Sequence, residues 1–222
     1  KEARRYLNVL KPLKKEEGTV RKKEVKAILF DLDGVLVDSL DAWHAVFTDI
    51  LKGLGKPPIL KKEFRGYFGM PLSKDIELFF RGKTPKWINA QKDRCFRRNK
   101  HLVRIFPHAS ALLKEARKRG LRTAIISNST RSIVGSVLKD KGLRGYFDAI
   151  LTAEDVRKGK PDPEMVKKAC RLLGVRPSQA IVVGDTQNDM KAGKRAGCTI
   201  IGYKTKGDFC VKSLRMVMEI VK

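Results

Sequence analysis

In AILFDLDG (residues 27–34), a short apolar run leads directly into two carboxylates, Asp31 and Asp33. The apolar run contains Ile and Phe and is followed by Gly, which predicts a fully buried strand. Such a strand delivers Asp31 to its carboxyl end, where open parallel sheets bind ligands. Because two carboxylates this close repel each other, the pair indicates a bound cation or a shared proton and disfavours a simple turn or helix cap.

The rest of the chain alternates predicted strands with predicted amphipathic helices. The further buried strands fall at residues 123–126, 149–151, 180–183 and 199–201, and the last of these is the final strand expected. Repeated β-α units indicate a parallel sheet with helices on both faces. The predicted fold class is therefore α/β, with a doubly wound, Rossmann-like parallel sheet as its core.

A helical segment separates the first strand from the second. Residues 41–105 carry helical patterns and no buried-strand signal, which predicts a small helical cap inserted after the first strand. Ser39 and Ser73 are expected to cap two of the helices. The predicted division is a basic N-terminal extension with a short amphipathic helix over 1–24, a core domain over 25–40 and 106–222, and the cap over 41–105.

The chain is strongly basic, with 49 Lys and Arg against 24 Asp and Glu and a net charge of +25. Such a field attracts anions, which include phosphorylated metabolites, nucleic acid and acidic partners. The excess is spread along the chain, and no aromatic-rich basic stretch occurs. A general surface bias is therefore favoured over specific binding of nucleic acid.

Size and composition narrow the class of protein further. A chain of 222 residues suits one α/β domain, or a core domain with a small insertion. The apolar runs are far too short for a membrane span, so no membrane partner is expected. The four cysteines form no CxxC motif, which predicts reduced thiols and a cytoplasmic location.

Three predicted strands end in groups that can carry chemistry: Asp31 with Asp33, Ser127, and Asp185. Since the carboxyl ends of parallel strands share one crevice, these groups are expected to converge. Several carboxylates, a hydroxyl and Gly-rich turns suit Mg²⁺ and a phosphate, because Mg²⁺ takes carboxylate and phosphate oxygens as ligands. Lys160, in a basic loop, is expected to bring an ammonium to the same rim.

Together these motifs resemble the haloacid dehalogenase-like hydrolase superfamily, in the capped branch of phosphoglycolate phosphatases and β-phosphoglucomutases. The resemblance covers about residues 25–205. Its four motifs, in chain order, are DLDGV at 31–35, Ser127, Lys160 before PDP, and GDTQND at 184–189. Each motif alone is weakly specific, but four in this order and at suitable spacing are specific.

The resemblance implies a role for each acidic residue of the first and last motifs. Asp31 is similar to the family's nucleophile, which attacks phosphorus and becomes an aspartyl-phosphate. Asp33 is similar to the general acid that protonates the leaving oxygen and then deprotonates the hydrolytic water. Mg²⁺ is the implied cofactor, held by the carboxylates of Asp31 and Asp185 and by the backbone carbonyl of Asp33.

The remaining motif residues are implied to act on the phosphoryl group. Ser127 and the backbone amide of Asn128 would bind its oxygens, and Lys160 would offset negative charge on the phosphate and the nucleophile. Asp189 lies one helical turn past Asp185. It is therefore expected either to touch the metal through water or to orient Lys160.

The cap is implied to select the substrate. By closing over the site it would exclude bulk water and macromolecules, which favours a small phosphorylated metabolite as the partner. Residues 64–71 are the candidate substrate-facing loop, because they combine a cation, aromatic rings and two glycines. Arg65 and Lys74 would suit a substrate with a second anionic group, such as phosphoglycolate or a sugar phosphate.

The predicted function is a Mg²⁺-dependent phosphatase that hydrolyses a small phosphate monoester through Asp31. Asp33 argues against halide displacement, because a departing halide needs no proton. Three alternatives stay open: a phosphosugar mutase with the same motifs, a phosphonatase with a cap lysine, and a polyanion-binding module on the same fold. The candidate cap lysines are Lys52, Lys56, Lys61 and Lys62.

Overall fold

The computed structural model describes residues 24–221. Its strands, in chain order, are β1 (Ala27–Phe30), β2 (Val37–Asp38), β3 (Arg104–Ile105), β4 (Arg122–Ile126), β5 (Ala149–Leu151), β6 (Ala180–Gly184), β7 (Thr199–Tyr203) and β8 (Phe209–Val211). The predicted helix in the N-terminal extension lies outside the described residues.

The helices alternate with these strands. In chain order they are α1 (Leu40–Gly53), α2 (Lys61–Tyr67), α3 (Leu72–Leu78), α4 (Pro85–Asn99), α5 (Ala109–Lys118), α6 (Arg131–Asp140), α7 (Glu164–Leu172), α8 (Gln187–Ala196) and α9 (Val217–Ile220). Single 3₁₀ turns lie at Lys100–Leu102, Arg144–Tyr146, Ala153–Asp155, Pro177–Gln179 and Leu214–Met216. Among residues 24–221, no helix combines the length and apolar character that a membrane crossing requires.

The main sheet has six strands in the order β5-β4-β1-β6-β7-β8. Every neighbouring pair in it is parallel, and Phe30 at the end of β1 lies between Ile125 of β4 and Val183 of β6. The predicted α/β class with a parallel, Rossmann-like sheet is therefore confirmed. The central position of β1 explains why its sequence is apolar at each position.

Helices cover both faces of the sheet, so alternate side chains of β1 enter different cores. Ile28 and Phe30 pack into one apolar cluster, which also contains buried residues of α5, α6 and the cap helices. Ala27 and Leu29 pack into the other, with buried residues of α7 and α8. A strand buried on both faces reads as a continuous apolar run, which is the pattern of residues 27–30.

The cap segment leaves and re-enters the core through a short antiparallel ribbon. In this ribbon Val37 of β2 pairs with Ile105 of β3, and Asp38 pairs with Arg104. Helices α1 to α4 lie between these strands, around an aromatic cluster in which Phe47 contacts Phe64, Phe79 and Phe80. We propose this ribbon as the boundary between the core and the cap, close to the predicted limits of residues 41 and 105.

Two local predictions are wrong. Residues 199–201 do not form the last strand, because β8 follows β7 and extends the sheet at its edge. This edge strand has three residues and an exposed Cys210, so its sequence lacks a long apolar run. Ser73 does not cap a helix, because α3 begins at Leu72 with Pro71 at its N-cap.

Ser39 also departs from its predicted role. It stands at the N-cap position of α1, but its side chain makes no capping hydrogen bond. The hydroxyl instead donates to Asp33 Oδ1 at 2.5 Å. The Ser39 hydroxyl therefore hydrogen-bonds to a predicted site residue, Asp33, and does not cap α1.

Two exposed glycines have different backbone conformations, so their replacement by alanine should change stability in opposite directions. Gly197 ends α8 with a φ of +89°, a left-handed conformation that costs an L-residue about 1–2 kcal/mol. Gly135 lies inside α6, and an added Cβ there would meet nothing within 4 Å. We expect Gly197→Ala to lower the free energy of unfolding by about 1 kcal/mol and Gly135→Ala to raise it by about 0.5–1 kcal/mol. Urea denaturation measures both, and shifts of the same sign would contradict the backbone assignment.

Candidate active site

The carboxyl ends of three neighbouring strands converge at one edge of the sheet, as expected. Asp31 follows β1, Ser127 follows β4 and Asp185 follows β6. Backbone hydrogen bonding of the sheet continues past the strand ends to Asp31 and Ser127. The amide of Asp31 donates to Val183 O at 2.9 Å, and the amide of Ser127 donates to Leu151 O at 3.0 Å. Asp31 and Ser127 are therefore held by backbone hydrogen bonds to neighbouring strands of the central sheet.

Gly34 allows the loop after β1 to approach the end of β6. Its φ is +82°, and a Cβ at this position would overlap the carboxylate of Asp185. A residue with a side chain would therefore displace the carboxylate of Asp185. The glycine of the first motif has a steric reason as well as a conformational one.

Lys160 is buried between two carboxylates. Its Nζ lies 2.9 Å from Asp31 Oδ1 and 2.6 Å from Asp189 Oδ1, and its side chain is 3% exposed. Burial alone lowers the pKa of an amine, but the carboxylates of Asp189 and Asp31 outweigh burial and raise the pKa of Lys160. The ammonium therefore stays charged beside Asp31.

Asp189 is fully buried and uses both carboxylate oxygens within the protein. Oδ1 accepts from Lys160, and Oδ2 accepts from the Thr186 amide at 3.1 Å and from its hydroxyl at 2.5 Å. Of the two roles expected for Asp189, this geometry supports the orientation of Lys160.

Asn128 ties the loop of Lys160 to the loop after β4. Its Oδ1 accepts from the Lys160 amide at 2.8 Å, and its Nδ2 donates to Lys160 O at 2.9 Å. A Cβ at Gly159 would crowd the Asn128 side chain, so glycine permits this close contact. The sequence assigned only the backbone amide of Asn128 to the site, and the side chain adds a structural link.

Asp33 accepts three side-chain hydrogen bonds. Ser39 Oγ at 2.5 Å and Trp43 Nε1 at 3.1 Å donate to Oδ1, while Ser129 Oγ at 3.1 Å donates to Oδ2. Trp43 and Ser129 are site residues that the sequence motifs do not predict. In the sequence Trp43 falls on the apolar face of a helical pattern, and nothing in that pattern marks its indole N–H.

The remaining feature of the crevice is an excess of buried negative charge. Oxygens of Asp31, Asp185 and Asp189 lie within 4.8 Å of one another. Burial raises the pKa of Asp31 well above its usual range, and burial together with Asp189 raises the pKa of Asp185 to about 7. Asp185 Oδ1 is buried and has no hydrogen-bond partner among residues 24–221.

These observations fit a divalent cation. An orphaned carboxylate oxygen beside a second carboxylate supplies the oxygen ligands that Mg²⁺ prefers. A cation bound there would favour the ionised forms of Asp31 and Asp185, whose pKa values are raised first by burial and then by the neighbouring carboxylates. Asp189 is less suited as a direct ligand, because Lys160 and Thr186 occupy its oxygens.

A small cavity of about 110 Å³ lies between this crevice and the cap. The core contributes the residues around Asp31, Asp33 and Ser127, and the cap contributes mainly apolar side chains. The predicted substrate-facing loop lines it through Phe64, Tyr67, Phe68, Gly69 and Met70. The size of this space suits a small substrate.

The structure does not bring Arg65 and Lys74 to the cavity. Arg65 follows Phe64, whose ring is buried, so the helix turns Arg65 to the exposed side of α2. Lys74 is exposed and pairs with Glu77 at 2.7 Å. The lysines considered for phosphonatase chemistry do not line the cavity either; these are Lys52, Lys56, Lys61 and Lys62.

The cap lysine that faces the cavity is Lys92. Its ammonium lies 2.5 Å from Asp75 Oδ2, and the two side chains are 12% and 6% exposed. It also lies over the rings of Trp43 and Phe47, 5.7 and 5.3 Å from their centroids. Burial raises the pKa of Asp75, and Lys92 opposes that effect. The sequence does not predict this pair, because α4 carries many basic residues that resemble a solvent-exposed helix face.

Comparison with known proteins agrees with this geometry. The sequence profile of the family described as haloacid dehalogenase-like hydrolase matches residues 28–203. The chain belongs to the haloacid dehalogenase-like hydrolases. The predicted family is thus confirmed, and with it the prediction of an enzyme, a phosphatase of this superfamily.

Among similar proteins, "Pyrophosphatase PpaX" of Bacillus velezensis is 35% identical over 81% of this chain and 83% of its own. "Phosphoglycolate phosphatase" of Neisseria meningitidis serogroup A is 30% identical over 81% of this chain and 80% of its own. The crystal structure of a predicted phosphoglycolate phosphatase from Haemophilus somnus superposes with a TM-score of 0.75 at 23% identity. It covers 89% of this chain and 98% of that one, and it supports the fold alone.

The buried Lys92–Asp75 pair of this hydrolase predicts an asymmetric response to mutation within one helix. Asp75→Ala leaves the Lys92 ammonium buried without its partner, and we expect it to cost about 3–5 kcal/mol of unfolding free energy. The matched variant is Glu77→Ala, which removes the partner of exposed Lys74 and is expected to cost under about 1 kcal/mol. Chemical denaturation compares the two, and equal losses would show that Lys92 is solvated.

Proposed function

We propose that this haloacid dehalogenase-like hydrolase is a Mg²⁺-dependent phosphatase of a small phosphate monoester, of the phosphoglycolate or sugar phosphate class. The observation that carries the proposal is the placement of Asp31. Its carboxylate stands at the end of the central strand, 2.9 Å from a buried ammonium, and it faces the cavity. Asp33 lies two residues further on and faces the same cavity.

In the proposed mechanism Asp31 attacks the phosphorus atom. A bond forms between a carboxylate oxygen and phosphorus, the bond from phosphorus to the leaving oxygen breaks, and an aspartyl-phosphate results. Asp33 donates its proton to the leaving oxygen. Water then attacks the aspartyl-phosphate, Asp33 recovers a proton from it, and phosphate departs as the Asp31 carboxylate is restored.

The phosphoryl group needs donors that do not themselves react. Ser127 Oγ accepts from the Ser129 amide at 3.1 Å, which leaves its hydroxyl proton free to donate to a phosphoryl oxygen. The Asn128 amide and the Lys160 ammonium complete this set. Because Asp189 holds Lys160 in place, its charge is already oriented when negative charge develops in the transition state.

The metal site is proposed from the same residues. Asp31 and Asp185 would hold Mg²⁺ through their carboxylates, and Asp33 through its backbone carbonyl. When bound, the ion offsets the repulsion between the nucleophile and the phosphate and neutralises charge during transfer. The unpartnered Oδ1 of Asp185 supports this assignment.

The substrate class rests on the cavity and on two relatives. The cavity between the core and the cap is small, which favours a small substrate and disfavours a polyanion-binding module as the main function. The relatives are named for phosphoglycolate and for pyrophosphate, so both compounds belong in a substrate panel with sugar phosphates. We further propose a cytoplasmic location, which is supported by four unpaired cysteines.

The experiment is release of phosphate from this panel with Mg²⁺ or with a chelator, for the wild type and for Asp31→Asn. We expect Mg²⁺-dependent release by the wild type and none by the variant, because the amide cannot form the aspartyl-phosphate. Near-normal turnover by Asp31→Asn would refute the covalent mechanism. Isomer formation that requires a bisphosphate and frees little phosphate would show a mutase instead.

Lys160 gives a second prediction for the same mechanism. Lys160→Ala removes the buried cation beside Asp31, and we expect kcat to fall by about 10²–10³-fold, the usual effect of losing one oriented electrostatic contact. The control is Lys158→Ala, which removes an exposed ammonium from the same loop and should leave kcat within about twofold. If kcat falls by less than about tenfold in Lys160→Ala, Lys160 does not act directly on the reacting groups.

A further inference from the structure

Trp43 links the proposed general acid to the cap. It lies on α1, the first helix after the ribbon, and its indole Nε1 donates to Asp33 Oδ1 at 3.1 Å. The ring is 8% exposed and packs against Phe96 of α4, with 5.3 Å between ring centroids. Lys92 of the same helix lies 5.7 Å from the ring. The position of the indole is therefore set by side chains of the cap.

The indole differs chemically from the other two donors to Asp33. A serine hydroxyl can rotate and either donate or accept, but an indole N–H can only donate. Oδ1, which meets both Ser39 and Trp43, is therefore held as an acceptor whatever the protonation state of the carboxyl group. Oδ2 meets only Ser129, whose hydroxyl can adapt to a proton there.

We propose that Trp43 is a positioning residue that fixes the orientation of Asp33, so that Oδ2 is the oxygen that gives and takes the proton. This inference rests on the proposed phosphatase function. As the bond from phosphorus to the leaving oxygen breaks, the proton passes from Oδ2 to that oxygen and Asp33 becomes a carboxylate. Oδ2 then takes a proton from the water that attacks the aspartyl-phosphate, which restores the starting state.

A distinctive consequence concerns the leaving group. An alkoxide is a poor leaving group and needs a well-placed proton, whereas p-nitrophenolate departs without one. A loss of orientation at Asp33 should therefore slow the hydrolysis of alkyl phosphates and spare p-nitrophenyl phosphate. A loss of packing alone would slow both substrates alike.

The test compares kcat/KM for the best alkyl phosphate of the panel and for p-nitrophenyl phosphate, in wild type, Trp43→Phe and Trp87→Phe. Both substrates are assayed on one preparation, so any unfolded fraction cancels from their ratio. For Trp43→Phe we expect the ratio of kcat/KM for the alkyl phosphate to kcat/KM for p-nitrophenyl phosphate to fall by about tenfold or more. A loss of this size is part of the rate that a general acid contributes. Trp87→Phe is the matched control, because Trp87 also lies on a cap helix beside a lysine but does not line the cavity.

A double-mutant cycle with Asp33→Asn shows whether Trp43 acts through Asp33. In the Asp33→Asn background, Trp43→Phe should leave the ratio unchanged, because the group that it positions is already lost. An unchanged ratio in Trp43→Phe alone, or an equal fall in both backgrounds, would overturn the inference. If the wild type hydrolyses neither substrate, or if Asp31→Asn remains active, the proposed function itself fails, which is a different outcome.

Discussion

The buried ion triad of Asp31, Lys160 and Asp189 is the interaction on which the site depends. A carboxylate at the end of a central strand loses its water, and in isolation it would take up a proton and cease to be a nucleophile. Lys160, 2.9 Å away, opposes this effect of burial on the pKa of Asp31, and Asp189 keeps that ammonium charged and oriented. The Asn128 bridge to Lys160 and the contacts of Thr186 with Asp189 help to hold these charged groups together. Gly34 allows Asp185 to lie close to the loop that follows Asp31.

The sequence was sufficient to predict the core and the part of the site that follows its strands. Residues 27–30 are apolar at every position because β1 is buried on both faces, and the groups after β1, β4 and β6 converge because parallel strands end at one edge. The cap contacts were not predictable in this way. The contacts of these cap residues depend on how separate helices pack together; the residues are Trp43, Lys92 and Asp75. Their residue types are ordinary for an apolar or a charged helix face. Arg65 was misplaced for the same reason.

The distribution of charge separates the surface from the site. The chain carries +25 overall, yet the crevice holds a cluster of buried carboxylates with one close ammonium. The outer field draws anions toward the molecule, and under the proposed function a Mg²⁺ ion held by Asp31 and Asp185 would offset the inner negative charge before an anion settles beside Asp31. In the cap, the Lys92–Asp75 pair is internally neutral and rests on aromatic rings, so the roof of the cavity adds little net charge.

The ribbon of β2 and β3 has a consequence for how such an enzyme diversifies. Because Asp38 and Arg104 are paired neighbours, the two ends of the intervening segment, which we propose to be the cap, meet at one place on the core. A segment of different length or shape can be exchanged there while β1 and its flanking strands keep their register. Under the proposed function Asp31 and Lys160 stay on the core, so replacement of the cap would change the compound that is recognised while this part of the bond-breaking machinery is kept.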